Sequence, residues 1–134
     1  GNPDTHVVLR GGRGQTNYDE QSVAAAAEAL GRRGVMIDCS HGNSRKDPTR
    51  QAEVLGSVAN QLRGGSDAIL GVMIESHLEE GRQDWAPGNA LRFGVSITDA
   101  CIGFDETEEL LRELAAAVKR PRMLRKKRAR PSAA

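Results

Sequence analysis

The sequence predicts a parallel α/β fold built from about four strand–helix units. Three observations carry that expectation. Short apolar runs alternate with amphipathic helical stretches in the order β-α-β-α-β-loop-β-α. The units recur about every 30 residues, the rhythm of parallel strands joined by crossover helices. The run Ala68-Ile69-Leu70-Gly71-Val72-Met73-Ile74 is continuously apolar, as in a strand covered on both faces. Four such units amount to half of an eight-stranded (β/α)8, or TIM, barrel. An open doubly wound sheet is the alternative. However, Gly11-Gly12-Arg13-Gly14 lacks the GxGxxG spacing of that fold's phosphate turn and does not lead straight into a helix.

The elements follow in order. Residues 5–10 are β-branched and apolar, a buried strand ended by Gly11-Gly12. Asp19 is placed to cap a helix over residues 20–33, with Val23, Ala26, Ala27 and Leu30 on one stripe. Gly31 and Gly34 bracket its end. Val35-Met36-Ile37-Asp38 reads as a short buried strand that opens abruptly into Cys39-Ser40-His41-Gly42-Asn43-Ser44. Such a change, from rigid strand to small polar loop, is how α/β proteins present functional groups. Asp47-Pro48 opens a second helix with proline in its first turn. Its stripe is Ala52, Leu55, Val58, Ala59 and Leu62, and Gly64-Gly65 close it. The third strand, residues 68–74, ends at Glu75. Residues 76–95 have no clean period, and a loop of that length in a compact domain is usually functional. Residues 96–104 read as a last short strand and turn. A final helix begins at Asp105 with acids at its positive end, buries Leu110, Leu111, Leu114, Ala117 and Val118, and is expected to stop at Pro121.

At 134 residues the chain fits one domain, and with aromatics at 3% its core must be Val, Ile, Leu and Ala. No apolar run is long enough to span a bilayer and no signal peptide is recognisable, so a cytoplasmic protein without membrane partners is expected. Cys39 and Cys101, without CxxC spacing, read as reduced, buried thiols. The opening Gly1-Asn2-Pro3-Asp4 has no initiator Met, which suggests a start inside a longer protein. The net charge of +1 conceals an asymmetry: the first 118 residues hold 18 acids against 11 basic residues, and residues 119–130 hold eight basic residues and no acid. Residues 1–118 are thus expected as the folded domain, and residues 119–134 as a basic, disordered tail. An acidic body argues against specific nucleic-acid binding. A module working through the tail alone would bind weakly, with steep salt dependence.

Each predicted strand ends in one chemically capable residue: Arg10, His41, Glu75 and Asp99. Parallel strands put their carboxyl ends on one face, so the four converge there. Arg10 offers a planar fork for a phosphate or carboxylate, beside glycines small enough to admit a ligand. His41, Glu75 and Asp99 form a mixed nitrogen and oxygen set suited to Mn²⁺, Fe²⁺, Co²⁺ or Zn²⁺. Asp99 could instead cap a turn, and Arg10 could pair with a nearby acid. Glu75, directly after seven apolar residues, is costly to bury without a cation or other partner. Asp38, His77 and His6 are candidates of second rank, Asp38 as a residue that orients a ligand.

These motifs resemble class I 3-deoxy-D-arabino-heptulosonate 7-phosphate (DAHP) synthase. They are Leu9-Arg10-Gly11-Gly12 with Asn17-Tyr18, the run from Met36 to Ser44, Gly71-Val72-Met73-Ile74-Glu75-Ser76-His77-Leu78 with Glu80-Gly81, and Ser96-Ile97-Thr98-Asp99-Ala100-Cys101-Ile102-Gly103. They run in the family's order over about residues 1–119. The resemblance implies the second half of a (β/α)8 barrel in a transferase of the shikimate pathway to chorismate and the aromatic amino acids. That enzyme condenses phosphoenolpyruvate with erythrose 4-phosphate and is a homo-oligomer when full length. By match, Arg10 would hold the phosphate of phosphoenolpyruvate. His41, Glu75 and Asp99 would be metal ligands, with His41 catalytic and Asp99 also substrate-binding. The metal would polarise the aldehyde oxygen as a Lewis acid. The family's fourth ligand, a cysteine from an early strand, has no counterpart here, nor do the early lysines and arginines that bind substrate. Phe104 stands where the family usually has Trp. An inactive half-barrel, serving as an assembly partner or remnant, is therefore the competing reading.

Overall fold

Three short parallel strands carry the site, and three helices back them. The structure, a computed structural model, describes residues 5–31 and 34–128. Strand β1 (Val7–Leu9) is followed by helix α1 (Glu20–Leu30), strand β2 (Val35–Asp38) and a 3₁₀ turn, Pro48–Arg50, that feeds helix α2 (Gln51–Arg63). Strand β3 (Ile69–Met73) and helix α3 (Phe104–Arg128) complete the order. The sheet order is β1-β2-β3, with Leu9 opposite Ile37 and Asp38 opposite Met73, so the strands finish nearly level.

Local signals account for the helix ends. The Asp19 carboxylate accepts from the Ser22 N–H at 2.9 Å and its hydroxyl at 2.6 Å, the N-cap arrangement that satisfies an orphan donor. These bonds hold the Asp19 carboxyl below its usual range. Helix α1 stops at Gly31, which is left-handed with φ of 61°, three residues short of the expected end; residues 32 and 33 lie outside the described residues. Asp47 caps the Pro48 turn through Thr49. Helix α3 packs on α2, tied by Arg63 to Glu113 at 3.0 Å.

The core joins Val23 of α1, Val35 and Ile37 of β2, Val54, Leu55 and Val58 of α2, Leu110 of α3, and Cys39 and Ile102. Only β2 is covered as a buried strand should be. Val7 and Val8 are exposed, and Leu70 of β3 is 62% exposed, contrary to the two buried strands expected there. The reason is position: β1 and β3 are the two edges of this sheet, and only β2 has a neighbour on each side. Leu30, Leu111 and Val118 also face outward rather than joining their helices' buried stripes.

Residues 96–104 do not form the fourth strand. Ser96, Cys101 and Ile102 make isolated bridges to Arg82, Gly81 and Ser76, and the chain bends between them. Their partners come from the loop after β3 rather than from β3 itself, so no continuous ladder can grow. Cys101 is accordingly only half-buried, unlike Cys39. Helix α3 also runs through Pro121 to Arg128, past the stop expected at that proline; residues 129–134 lie outside the described residues. Proline costs one backbone bond. The run Met123-Leu124-Arg125-Lys126-Lys127-Arg128 that follows consists of strong helix formers. No helix among the described residues is long and apolar enough to cross a membrane.

Candidate metal centre

The site is built where β1, β2 and β3 end. The loops after β1 and β2 touch backbone to backbone. Gly11 has φ of 71°, and a Cβ there would lie 2.6 Å from the carbonyl carbon of Gly42. That contact and that left-handed backbone require glycine at position 11. Asn43 fastens the two loops. Its buried amide donates to the carbonyls of Leu9 at 3.0 Å and Asp38 at 2.9 Å, and its oxygen accepts from the Asn17 N–H at 2.8 Å. Asn17 in turn accepts from the Gly11 N–H at 2.7 Å.

His41 follows at a left-handed φ of 45°, rare for a residue with a side chain and characteristic of strained functional loops. Arg45 and Lys46 are left-handed as well, and the Lys46 N–H closes the loop on the His41 carbonyl at 2.8 Å. Asp38, with its side chain only 3% exposed, lies 2.8 Å from His41 Nδ1. An ionised carboxylate only accepts, so Nδ1 donates to it and Nε2 is left facing Glu75 and Asp99. The other Asp38 oxygen accepts from the Ser40 N–H at 2.8 Å. Asp38 thus stands where it can hold the orientation of the His41 ring.

Glu75 is held twice. The Gln51 side chain donates to its carbonyl at 2.9 Å and accepts from its N–H at 2.8 Å, extending strand-like pairing just past the end of β3. Its carboxylate Oε2 accepts from the Ser40 hydroxyl at 2.5 Å. Its Oε1 lies 3.8 Å from His41 Nε2, and Asp99 Oδ2 lies 3.8 Å from the same nitrogen. Asp99 stands on the bend that replaces the fourth strand, with its side chain 65% exposed.

One ligand atom from each of His41, Glu75 and Asp99 therefore lies within 4.8 Å of the others. An ion with tetrahedral bonds of about 2.1 Å sets its donors roughly 3.4 Å apart. An imidazole nitrogen and two carboxylate oxygens at this spacing fit a divalent transition-metal ion. Among the described residues no cysteine joins this cluster. Burial, and secondarily the charge of Asp38, pushes the Cys39 thiol up to about 12, so it stays a neutral core residue. Burial also raises the Cys101 thiol.

Arg10 opens onto the same space, a cavity of about 420 Å³ that also meets Ser40, His41, Glu75 and Asp99. Its Nε lies 4.0 Å from Asp38, so the nearby acid it could pair with is present, yet its side chain remains 59% exposed. Arg13 and Lys46 line this cavity too. Neither carries a local sequence signal of its own, although each sits within or just past one of the motifs. The supporting residues Ser40, Asn43 and Gln51 carry none either. His6 and His77 take no part: both are exposed, His6 precedes β1 at the far end of the strand, and His77 Nδ1 accepts from the Leu78 N–H. A larger hollow of about 760 Å³ between α1 and α2 holds none of the four strand-end residues.

Fold and site together define a parallel α/β protein with a mixed nitrogen and oxygen donor set, able to hold a metal, at the carboxyl ends of its strands. The sequence model of the DAHP synthetase I family matches residues 1–112, and the chain belongs to that family. It is 50% identical over 123 residues to the Phe-sensitive phospho-2-dehydro-3-deoxyheptonate aldolase of Escherichia coli K12, covering 89% of this chain and 35% of the relative. With the tyrosine-inhibited enzyme of the same name from Candida albicans it shares 47% identity, over 96% of this chain and 37% of the relative. The solved structure of the Francisella tularensis phospho-2-dehydro-3-deoxyheptonate aldolase superposes with a TM-score of 0.84 at 42% identity, covering 90% of this chain and 36% of that one. The chain thus spans about a third of the length of these relatives.

Proposed function

We propose that this chain is the carboxy-terminal portion of a 3-deoxy-7-phosphoheptulonate synthase. That enzyme is a cytoplasmic, homo-oligomeric transferase condensing phosphoenolpyruvate with erythrose 4-phosphate on the route to the aromatic amino acids. The observation that carries the reading is the meeting of His41, Glu75 and Asp99 at one point, with Arg10 on the same cavity. The three parallel strands would be consecutive staves of a (β/α)8 barrel, whose remaining staves would cover the exposed edges of β1 and β3. The absent part would also supply the cysteine ligand and the remaining substrate-binding cations.

Within this reading each residue has a task. His41, Glu75 and Asp99 would hold Mn²⁺, Fe²⁺, Co²⁺ or Zn²⁺. When bound, such an ion supplies Lewis-acid polarisation of the aldehyde oxygen. Asp38 keeps the Nδ1 proton in place, so that His41 always offers Nε2 to the site. Arg10, fixed at its carbonyl side by the Gly11 and Gly42 contact, directs its guanidinium fork at the phosphoenolpyruvate phosphate. Asp99, the most exposed of the three donors, is free to meet the incoming aldose as well.

The test is reconstitution. This chain, mixed with the amino-terminal portion of a family member, is expected to release phosphate from phosphoenolpyruvate only when erythrose 4-phosphate and a divalent metal are present. A reconstituted barrel that stays inactive while binding metal would instead support the non-catalytic half-barrel.

A further inference from the structure

We infer that Ser40 sets the metal preference of this site by holding Glu75 to a single ligand oxygen. The inference rests on the metal reading above and adds a determinant of which ion is favoured. A carboxylate can bind a metal through one oxygen or through both. Glu75 has one oxygen already engaged: Oε2 accepts the Ser40 hydroxyl at 2.5 Å, while Oε1 is the atom turned toward His41 Nε2. A charge-assisted hydrogen bond this short is among the strong ones.

Ser40 is itself buried and bonded through its backbone on both sides. The residue is 3% exposed, its N–H is bound to Asp38 and its carbonyl accepts from the Ser44 N–H at 3.1 Å. The main chain of Glu75 is clamped by Gln51, which is fully buried. The backbone at each end of the Ser40 to Glu75 bond is thus tied by its own hydrogen bonds. Among the described residues no hydrogen bond of this kind holds the Asp99 carboxylate, whose side chain is 65% exposed on a bend. The site therefore pairs one acid held to a single oxygen with one adjustable acid.

The consequence is chemical. One-oxygen binding suits a small ion with few, short bonds, such as Zn²⁺. Two-oxygen binding suits an ion that prefers more oxygen ligands, such as Mn²⁺. Removing the hydroxyl releases Oε2 and should favour Mn²⁺ relative to Zn²⁺.

Calorimetric titration of the full chain with Mn²⁺ and with Zn²⁺ tests this for wild type, Ser40→Ala and Ser40→Thr. The ratio of Mn²⁺ to Zn²⁺ affinity is expected to rise by about tenfold in Ser40→Ala, the factor that one charge-assisted hydrogen bond is worth at the low end. It should return toward wild type in Ser40→Thr, which keeps the hydroxyl. A general loosening of the site would weaken both ions together and leave the ratio unchanged, and that result overturns the inference. Should Ser40→Ala fail to fold, wild type still decides. Infrared difference spectra on Mn²⁺ addition, with ¹³C-labelled glutamate, are expected to show the wide carboxylate splitting of one-oxygen binding although Mn²⁺ would otherwise take both oxygens, and a narrow splitting overturns the inference. If wild type takes up no metal and His41→Ala behaves identically, the metal reading itself falls, and this inference with it.

Discussion

Asn43→Ala is expected to destabilise the protein by about 3 kcal/mol. The Asn43 side chain is fully buried and makes three hydrogen bonds: to the Leu9 carbonyl, to the Asp38 carbonyl and from the Asn17 N–H. Truncation leaves two carbonyls and one N–H without that partner, and each buried polar group left unmade costs roughly 1–3 kcal/mol. The lower end applies to all three, because the space vacated beside a polar cavity can admit a water. For a domain of this size each kcal/mol lowers the melting temperature by about 4 °C, so a fall of about 12 °C is expected. Thermal unfolding followed by far-ultraviolet circular dichroism reads it directly. Asn43→Asp sharpens the test, since it keeps shape and volume but turns an oxygen toward two carbonyl oxygens. It should be at least as damaging as Ala. A loss under about 1 kcal/mol in Ala, or an Asp variant as stable as wild type, would refute the view that this amide ties the ends of β1 and β2 together.

Gly11→Ala should cost more than an ordinary surface change. The new Cβ would meet the Gly42 backbone at 2.6 Å, in a conformation that side chains rarely adopt. The expected loss is about 2 kcal/mol or more, with weaker metal binding because the His41 loop must shift; denaturant unfolding and titration with Mn²⁺ check both. Stability should also fall as pH rises above about 9, where an unfolded Cys39 thiol ionises while the buried one stays protonated to about 12. In that window the folded state holds one more proton than the unfolded state, so its advantage shrinks by about 1.4 kcal/mol per pH unit. Cys39→Ala should lack this component of the slope, and equal slopes for the two proteins between pH 9 and 12 would contradict the assigned burial.

Much of this molecule is legible in local sequence. Val35-Met36-Ile37-Asp38 is a strand because β-branched and apolar residues run straight into small polar ones. Asp19 and Gly31 mark the ends of α1 through hydrogen bonds and a left-handed turn that span only a few residues. The strand-end residues His41 and Glu75 could be chosen the same way, since a capable side chain directly after an apolar run needs no knowledge of distant partners. Burial is different. Val7, Val8 and Leu70 belong to runs as apolar as that of β2, yet they are exposed, because coverage depends on how many strands lie alongside. The supports of the site are different for the same reason. Ser40 meets Glu75 across 35 residues, Gln51 meets it across 24, and Asn43 meets Leu9 across 34. None of the three belongs to a residue class that signals such a role, and serine, glutamine and asparagine are common in solvated loops. Their hydrogen bonds exist only because parallel pairing brings the ends of β1, β2 and β3 side by side. Local chemistry decides which residues can bind. The packing of strand ends decides that Ser40 meets Oε2 of Glu75 and leaves Oε1 facing His41.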